Sequence, residues 1–207
     1  MFINDKEIKA LLLRYNFGLK ILKTSIEILV SEFEYKYEYN PVEHTKSRIK
    51  SLDSAAKKLE RKGLEVTPEN IRNYVHDMIG VRIVCSFLSD VYEIVDRIRV
   101  SSRIIVKEES DYIKNPKRSG YTSYHMNVLV PIDIDNTTEY VEAEIQIRTV
   151  SMDCWASLDH KLRYKLPKTI PEYIENSMYE RALEMMEHDR KMQILNDMVK
   201  GLKKDKI

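Results

Sequence analysis

Strict alternation of apolar and polar residues over Glu139–Thr149 is the feature that most limits the folds open to this chain. Successive side chains of an extended strand point to opposite faces, so this segment predicts a strand with one apolar and one densely polar face. The apolar face holds Val141, Ala143, Ile145 and Ile147, and the polar face holds Glu142, Glu144, Gln146 and Arg148. Alternation alone is more typical of a half-solvated sheet surface than of the polar floor of a site.

The preceding segment, GYTSYHMNVLV at residues 120–130, favours the second interpretation. It also alternates, and its polar face carries Tyr121, Ser123, His125 and Asn127. If the two strands pair through a connection at residues 131–138, their polar faces lie side by side. A sheet face that combines an aromatic ring, a histidine, carboxylates and an arginine is more often the floor of a site than a solvated surface.

The rest of the chain predicts helices packed on a mixed sheet. Apolar periodicity and capping residues predict helices at about 5–33, 42–62, 67–77, 89–99, 150–164 and 172–202. Two further strands are expected at about 79–87 and 103–106, and residues 111–119 are expected to form a loop. The fold class is therefore α/β, with a mixed β-sheet of four to five strands flanked by helices.

Composition indicates the number of domains and the expected location of the protein, but not its function. The chain of 207 residues suits one domain, and its net charge of +1 identifies no class of partner. No apolar run reaches membrane-spanning length and no secretory leader is recognisable, so a soluble, cytoplasmic protein without a membrane partner is expected. Cys85 and Cys154 are isolated and lack metal-ligand spacing, so both are predicted to be buried, reduced thiols.

Two acidic residues are candidates for a magnesium site. Asp77 directly precedes the strand at 79–87, and Glu144 lies on the polar face of the later strand. Two carboxylates from separate elements are the usual protein share of a Mg²⁺ site, because phosphates and water supply the remaining ligands. The alternative is structural: Asp77 caps a turn, and Glu144 pairs with Arg148 or a lysine.

Basic residues form a second candidate group, suited to a polyphosphate and a purine. They are Arg48, Lys50, Lys58, Arg61 and Lys62 on the predicted helix at 42–62, Arg82 in the strand, and Lys114, Lys117 and Arg118 in the loop. A solvated helix surface would explain most of them. Arg82 needs a partner, because a guanidinium in an apolar strand is costly to bury alone. Tyr121 is either a base-stacking platform beside the basic loop or half-buried packing.

Three motifs together resemble one family. HDMIGVRIVCSF, DYIKNPKRSGYTSYH and VEAEIQIRT, followed by a helix with Trp155 and His160, are similar to the synthetase domain of the RelA/SpoT homologues. The similarity runs over about 43–164 and is greatest to the small, single-domain alarmone synthetases. It implies a nucleotidyltransferase-like synthetase core at 42–166, preceded by an N-terminal helix and connector at 1–41. Residues 167–207 would form a C-terminal helix used for oligomerisation.

The resemblance also implies an activity, the Mg²⁺-dependent transfer of the β,γ-pyrophosphate of ATP to the 3′-hydroxyl of GDP or GTP. GMP is a further candidate acceptor. Asp77 and Glu144 would hold the metal, and Glu144 would also accept the proton of the attacking hydroxyl. The implied ATP contacts are Arg48 and Arg82 around the adenine and Lys50, Lys58 and Arg61 at the phosphates. The implied guanine-nucleotide contacts are Lys117, Tyr121, His125, Gln146 and Asp153.

The chain departs from this family pattern at three places. Glu60 replaces the first of two adjacent arginines on the ATP side, and Asp153 stands where small synthetases often have asparagine. The first helix has Lys23 but also Glu27 and Val30 where allosterically regulated members carry basic residues. These differences affect a phosphate contact, the guanine or ribose contact, and feedback activation.

Two other functions fit the same residues. A nucleotidyltransferase-like enzyme with another acceptor would also use two carboxylates and a basic groove, and an RNA-binding module would use the basic residues and Tyr121 without catalysis. RNA binding is not indicated by any motif of its own. The long last helix has a sparse apolar stripe, which either folds back on the first helix or packs against another copy. The resemblance favours a homo-oligomer, and a tetramer in particular.

Overall fold

The computed structural model describes residues 5–165 and 170–204, which fold into a five-stranded mixed sheet with six helices in that part of the chain. The helices are α1 (Asp5–Tyr37), α2 (Leu52–Arg61), α3 (Pro68–Tyr74), α4 (Leu88–Arg99), α5 (Val150–Lys165) and α6 (Glu172–Lys204). The strands are β1 (Val42–Ile49), β2 (Ile79–Cys85), β3 (Ile105–Asp111), β4 (Tyr124–Ile134) and β5 (Thr137–Thr149), in the order β1-β2-β5-β4-β3. The predicted fold class is confirmed.

The alternating strand β5 lies at the centre of the sheet. It runs parallel to β2 and antiparallel to β4, with which it forms a hairpin. The two residues of the turn, Asp135 and Asn136, have φ angles of 50° and 61°. Asp and Asn tolerate this left-handed region better than most residues, and positive φ at both central positions gives the twist that a two-residue hairpin needs. The expected pairing of the two polar strands is therefore confirmed, with a tighter connection than 131–138.

One face of the sheet is covered and forms the core. The residues of β2 and β5 that point to this face are buried, and they belong to one apolar cluster with residues from α1, α3 and α4. On β5 these are Val141, Ala143, Ile145 and Ile147. Helix α1 approaches β5 closely at Gly18, where an added Cβ would lie 2.3 Å from a Val141 methyl carbon. The opposite, polar face of β5 is left for the candidate site.

The predicted helix at 42–62 is wrong in its first half, because residues 42–49 form the edge strand β1. This strand pairs antiparallel with β2, and most of its residues are exposed. The helix begins only after Ser51, whose hydroxyl accepts a hydrogen bond from the Ser54 amide. An exposed edge strand needs no apolar face, since its backbone ladder to β2 stabilises it, and so its pattern carried little signal.

Several smaller predictions also need correction. The strand predicted at 103–106 lies at 105–111, and the short helix after Thr67 ends at Tyr74 instead of near Asp77. Cys85 is buried, and burial raises the pKa of its thiol, but Cys154 is exposed on α5. None of the helices within residues 5–165 and 170–204 has the length and apolar character that a membrane crossing requires.

The last helix, α6, packs mainly on α5 and α4 instead of along α1. Met178 and Ala182 of α6 form a small apolar cluster with Trp155 of α5. Further along the helix, the buried carboxylate of Asp189 accepts a 2.6 Å hydrogen bond from the hydroxyl of Thr149 at the end of β5. Helix α6 is thus attached to the sheet as well as to its neighbouring helix.

Candidate active site

The polar face of the sheet forms a pocket of about 230 Å³ between β1, β2 and β5. Gly80 lies in the middle of its floor, opposite Arg48 on one side and Glu144 on the other. The lining residues are Lys46, Ser47, Arg48, Asp77, Gly80, Val81, Arg82, Glu144 and Gln146. Both candidate carboxylates and both candidate adenine-binding arginines therefore face one cavity.

Asp77 lies between α3 and β2 and pairs with two lysines. Its two oxygens accept hydrogen bonds from Lys50 Nζ at 2.7 Å and from Lys58 Nζ at 2.8 Å. Burial alone would raise the pKa of Asp77, but the two ammonium groups outweigh it and lower the pKa to about 2. Asp77 is therefore an ionised carboxylate, and its neighbours are cations suited to phosphate.

Glu144 occupies the centre of the polar face. His125 Nδ1 lies 3.2 Å from one carboxylate oxygen, and Gln146 Nε2 donates to the other at 2.6 Å. Burial raises the pKa of Glu144 and the charge of Asp77 adds to that rise, but the contacts with His125 and Gln146 outweigh both, so the pKa lies below its usual value. The pairing of Glu144 with Arg148 that the sequence left open is not found, because Arg148 donates to Tyr121, Gln146 and Asp153 instead. Glu144 lines the pocket.

Asp77 and Glu144 suit a divalent cation in the chemistry of their donor atoms. Both are ionised, both line the same pocket, and the charge of Asp77 acts on Glu144. The described part of the chain holds no cluster of three or more Asp, Glu, His or Cys side chains arranged for a metal ion. A Mg²⁺ ion here would therefore take its other ligands from nucleotide oxygens and water, as Mg²⁺ commonly does.

The candidate ATP residues are distributed over three elements and one link, with Arg82 on β2. Arg48 is on β1, Lys50 is in the link to α2, and Lys58 and Arg61 are on α2. Arg61 is exposed and donates to the carbonyl of Lys57, outside the residues that line the pocket. The basic residues thus do not share one helix face: Arg48 and Arg82 line the pocket, and Lys50 and Lys58 reach it through Asp77.

Lys46 is a pocket residue that the sequence pattern did not identify. It pairs with Arg82 across the β1–β2 ladder and lines the same pocket. Its alternation with Arg48 along an extended chain is the signal that could have identified it, but this signal has meaning only once residues 42–49 are assigned to a strand.

Tyr121 lies beside the pocket at the end of the basic loop, ahead of β4. Its ring is half-buried, with Lys117 Nζ 5.0 Å and the Arg148 guanidinium carbon 5.2 Å from the ring centroid. Tyr112 and His125 contact it edge-on, with centroid distances of 6.4 and 5.8 Å. The ring is held from several sides, and the basic loop brings Lys117 next to it.

Five side chains form a closed ring of hydrogen bonds that joins Tyr121 to Glu144. The Tyr121 hydroxyl contacts His125 Nε2 at 2.9 Å and accepts from Arg148 Nη2. The same Arg148 nitrogen donates to Gln146 Oε1 at 2.7 Å, and both His125 and Gln146 contact Glu144. His125 therefore joins the Tyr121 hydroxyl, at Nε2, to the Glu144 carboxylate, at Nδ1.

Arg148 is the buried member of these five side chains, and Asp153 lies next to it. Alternation placed Arg148 on the polar face, but its side chain is only 4% exposed. Asp153, in the first turn of α5, accepts from Arg148 at 3.2 Å and forms an ion pair with Arg82 at 3.0 Å through the same oxygen. The structure thus places Asp153 among arginines, next to the candidate nucleotide residues.

Helix α6 supports the loop that carries Tyr121. Gly120 is buried, has a φ of +78°, and would place an added Cβ 2.3 Å from the Ala182 Cβ. Both the backbone conformation and the close approach therefore require glycine at this position.

Gly120→Ala is expected to lower thermal stability and to raise the KM of the acceptor nucleotide, since the loop must move to relieve the contact. The left-handed backbone costs about 1–2 kcal/mol with a Cβ present, and overpacking adds about 1–3 kcal/mol. Gly63→Ala is the matched control, because Gly63 has a φ of +70° and nothing within 4 Å of its would-be Cβ. Thermal melts and steady-state kinetics of both variants check the prediction, and equal effects of the two would contradict it.

Comparison with known proteins identifies the family. The model described as a region found in RelA / SpoT proteins matches residues 47–169. The GTP pyrophosphokinase YwaC of Bacillus subtilis (strain 168) is 44% identical over 171 residues, covering 83% of this chain and 81% of that protein. The chain therefore belongs to the RelA/SpoT family, and the resemblance seen in the motifs is confirmed.

Solved structures place the chain beside the small synthetases of that family. The crystal structure of the small alarmone synthetase 2 from Bacillus subtilis matches with a TM-score of 0.83 at 40% identity, covering 93% of this chain and 99% of that one. The small alarmone synthetase 1 from the same organism, solved bound to its product pppGpp, matches with a TM-score of 0.83 at 30% identity. This second match covers 94% of this chain and 99% of that one.

Proposed function

We propose that this protein is a GTP/GDP diphosphokinase that transfers the β,γ-pyrophosphate of ATP to the 3′-hydroxyl of GDP or GTP and so makes (p)ppGpp-type alarmones. The observation that carries the proposal is the position of Glu144, which lies between the cationic pocket and the ring of Tyr121. This arrangement provides for a polyphosphate donor on one side and a purine acceptor on the other. Membership of the RelA/SpoT family supports it, as do two relatives named GTP pyrophosphokinase, which are 44% and 32% identical to this chain.

The donor nucleotide is assigned to the pocket edge formed by β1, β2 and α2. Arg48 and Arg82 lie on neighbouring strands next to Gly80 and both line the pocket, where their two guanidinium planes would enclose an adenine. Lys50 and Lys58 lie on Asp77 and would turn towards phosphate oxygens, and Lys46 adds a third cation at this edge. Arg61 would reach a terminal phosphate from α2.

The acceptor nucleotide is assigned to the other side of Glu144. Tyr121 would stack on the guanine, with Lys117 and His125 near the acceptor phosphates, and Gln146 and Asp153 supporting this half of the site. Glu144 would accept the proton of the 3′-hydroxyl while the oxygen of that hydroxyl bonds to the β-phosphorus of ATP. The bond from that phosphorus to the α-phosphate oxygen breaks, and AMP leaves.

A Mg²⁺ ion held by Asp77 and Glu144 would neutralise phosphate charge when bound. The protein's own contribution is positioning and electrostatics, because phosphoryl-type transfer needs aligned groups and a cationic clamp more than a covalent nucleophile. A cytoplasmic location, where ATP and guanine nucleotides are available, is part of this proposal.

Chromatography of nucleotides after incubation with ATP, Mg²⁺ and GDP tests the proposal directly. The expected result is a guanosine tetraphosphate peak with an equal amount of AMP, and parallel incubations with GTP and GMP rank the acceptors. Release of pyrophosphate with a nucleotidyl product would instead support the transferase with another acceptor. Absence of turnover with any of the three acceptors would overturn the proposal and favour the RNA-binding module.

We also propose that the protein is a homo-oligomer, with a tetramer favoured, assembled through α6. This helix of 33 residues is about 50 Å long at 1.5 Å per residue, and few of its side chains are buried within the protomer. Leu195, Met198 and Leu202 follow at spacings of three and four and are 53%, 65% and 66% exposed. A second copy would bury this stripe.

Leu195→Glu combined with Met198→Glu is therefore expected to dissociate the assembly, because two charges would enter an apolar interface. Light scattering of the intact protein and of the variant checks this, with a lower mass expected for the variant. Val100→Glu is the control, since Val100 is an exposed apolar residue that lies outside α6. A monomeric wild-type protein at micromolar concentration would contradict the proposal.

A further inference from the structure

The carboxylate of Asp153 is shared by two arginines that belong to different halves of the site. Its Oδ1 accepts a 3.2 Å hydrogen bond from Arg148 Nη1 and lies 3.0 Å from Arg82 Nη1 in an ion pair, while His44 Nε2 lies 3.9 Å from its Oδ2. The Asp153 side chain is 12% exposed and that of Arg148 is 4% exposed, so the bridge is largely shielded from water. Two guanidinium groups held this close would repel one another without the carboxylate between them.

Arg82 depends on this bridge. Its Nε is buried and has no hydrogen-bond partner in the described structure, while its Nη1 is held by Asp153. The side chain is one-third exposed and faces the donor pocket. Because no acceptor holds Nε, the position of the guanidinium group rests largely on its ion pair with Asp153.

Arg148 carries the bridge to the acceptor side. It donates to the Tyr121 hydroxyl and to Gln146 Oε1, and both of these residues lie in the hydrogen-bonded ring that includes Glu144. A continuous path of polar contacts therefore runs from the donor pocket through Asp153 to the acceptor platform. Hydrogen bonds join its members from Asp153 to Glu144, and an ion pair joins Asp153 to Arg82, so fixing one end restricts the other.

We propose that Asp153 is a positioning residue that makes the donor and acceptor nucleotide sites depend on one another. The inference rests on the proposed function, which assigns ATP to Arg82 and the guanine nucleotide to Tyr121. When ATP restricts Arg82, or the guanine nucleotide restricts the Tyr121 side chain, the Asp153 bridge restricts the other half of the site as well. The second nucleotide then binds without losing that conformational freedom again, which gives positive coupling between the sites.

Calorimetric titration of the wild-type protein with a non-hydrolysable ATP analogue, with and without GDP, measures this coupling. We expect GDP to tighten binding of the analogue by about fivefold or more, which is the usual lower range for linked sites. The analogue must tighten GDP binding by the same factor, and this reciprocity is an internal check. A wild-type factor of one would overturn the inference.

Asp153→Asn is the main test, because it keeps the volume of the side chain but removes the charge and one acceptor oxygen. We expect the coupling factor to fall towards one. The affinity for each nucleotide measured alone should fall by a smaller factor than the coupling factor does. Asp159→Ala is the matched control: Asp159 is a half-buried acid of the same helix that pairs with Arg163 at 2.9 Å, one turn away. The control should keep the wild-type factor.

A lower melting temperature with an unchanged coupling factor would make Asp153 purely structural and overturn the inference. If Asp153→Asn does not fold, Arg148→Lys provides the second variant, since it keeps the charge but loses the planar fork that spans Asp153 and Tyr121. Its coupling factor should also fall towards one, and an unchanged factor would be equally decisive. Failure of the wild type to make an alarmone would refute the proposed function separately, because the coupling is measured by binding alone.

Discussion

Glu144→Gln is expected to abolish alarmone synthesis while the protein remains folded. The amide keeps the shape of the side chain and its place between His125 and Gln146, but it neither accepts the proton of the attacking hydroxyl nor provides a charge for Mg²⁺. We expect kcat to fall by at least about 100-fold, which corresponds to ~2.7 kcal/mol of barrier. Initial rates with ATP and GDP measure the loss, and a thermal melt checks the fold.

Glu142→Gln provides the control for this change. Glu142 lies two residues earlier on the same polar face, and its side chain is 24% exposed against 25% for Glu144. Its carboxylate pairs with His76 and Lys107, away from the pocket. We expect synthesis within about threefold of wild type, or ~0.7 kcal/mol. If Glu144→Gln keeps more than about a tenth of the wild-type rate, Glu144 is neither the proton acceptor nor a required metal ligand.

Asp77→Asn should cause a loss of similar size for a different reason. The change removes a ligand for the metal and also the counter-charge between Lys50 and Lys58. The pKa of Asp77 is lower in the folded protein, at about 2, so its ion pairs stabilise the fold above the unfolded pKa. This contribution disappears as the pH falls towards 2. A drop in melting temperature is therefore expected for Asp77→Asn, and it should exceed that of Glu144→Gln because Asp77 is the counter-charge of two lysines.

The centre of the sheet could be predicted from sequence because its signal is local. Alternation in β5 and β4 has a period of two, and each apolar residue of β5 at 141–147 is buried in the structure. Edge strand β1 lacks this signal, since its backbone is stabilised by the ladder to β2 and its side chains are mostly exposed. A basic, exposed octapeptide next to a true helix was therefore assigned to that helix.

The site was predictable in its residue types but not in its connections. Asp77 and Glu144 were identified as a pair, and they line one pocket. Lys46 was missed with β1, and Arg148 was expected on an open face although the loop before β4 and the start of α5 bury it. Hydrogen bonds between side chains far apart in sequence depend on rotamers and tertiary packing, which no local pattern encodes.

Tyr121→Ala is expected to raise the KM of the guanine nucleotide strongly and to leave the KM of ATP nearly unchanged. Stacking of a base on an aromatic ring contributes about 1–3 kcal/mol, so a rise of about 5- to 150-fold is expected. The Tyr121 ring is contacted by Lys117, Arg148, Tyr112 and His125. Its removal therefore takes away the stacking surface but leaves these neighbours in the site. Steady-state kinetics with each nucleotide varied in turn provide the measurement, and the KM of ATP is the internal control.

Tyr121→Phe separates the ring from its hydroxyl. Phenylalanine keeps the stacking surface, so the acceptor KM should stay within about threefold of wild type, or ~0.7 kcal/mol. The lost hydroxyl leaves Arg148 Nη2 with one acceptor fewer and removes the contact that holds His125 beside Glu144. We therefore expect the effect of Tyr121→Phe to appear chiefly in kcat, as a several-fold decrease. Equal increases in the KM of ATP and GDP for Tyr121→Ala, or a collapse of its melting temperature, would assign Tyr121 to packing instead of to the acceptor site.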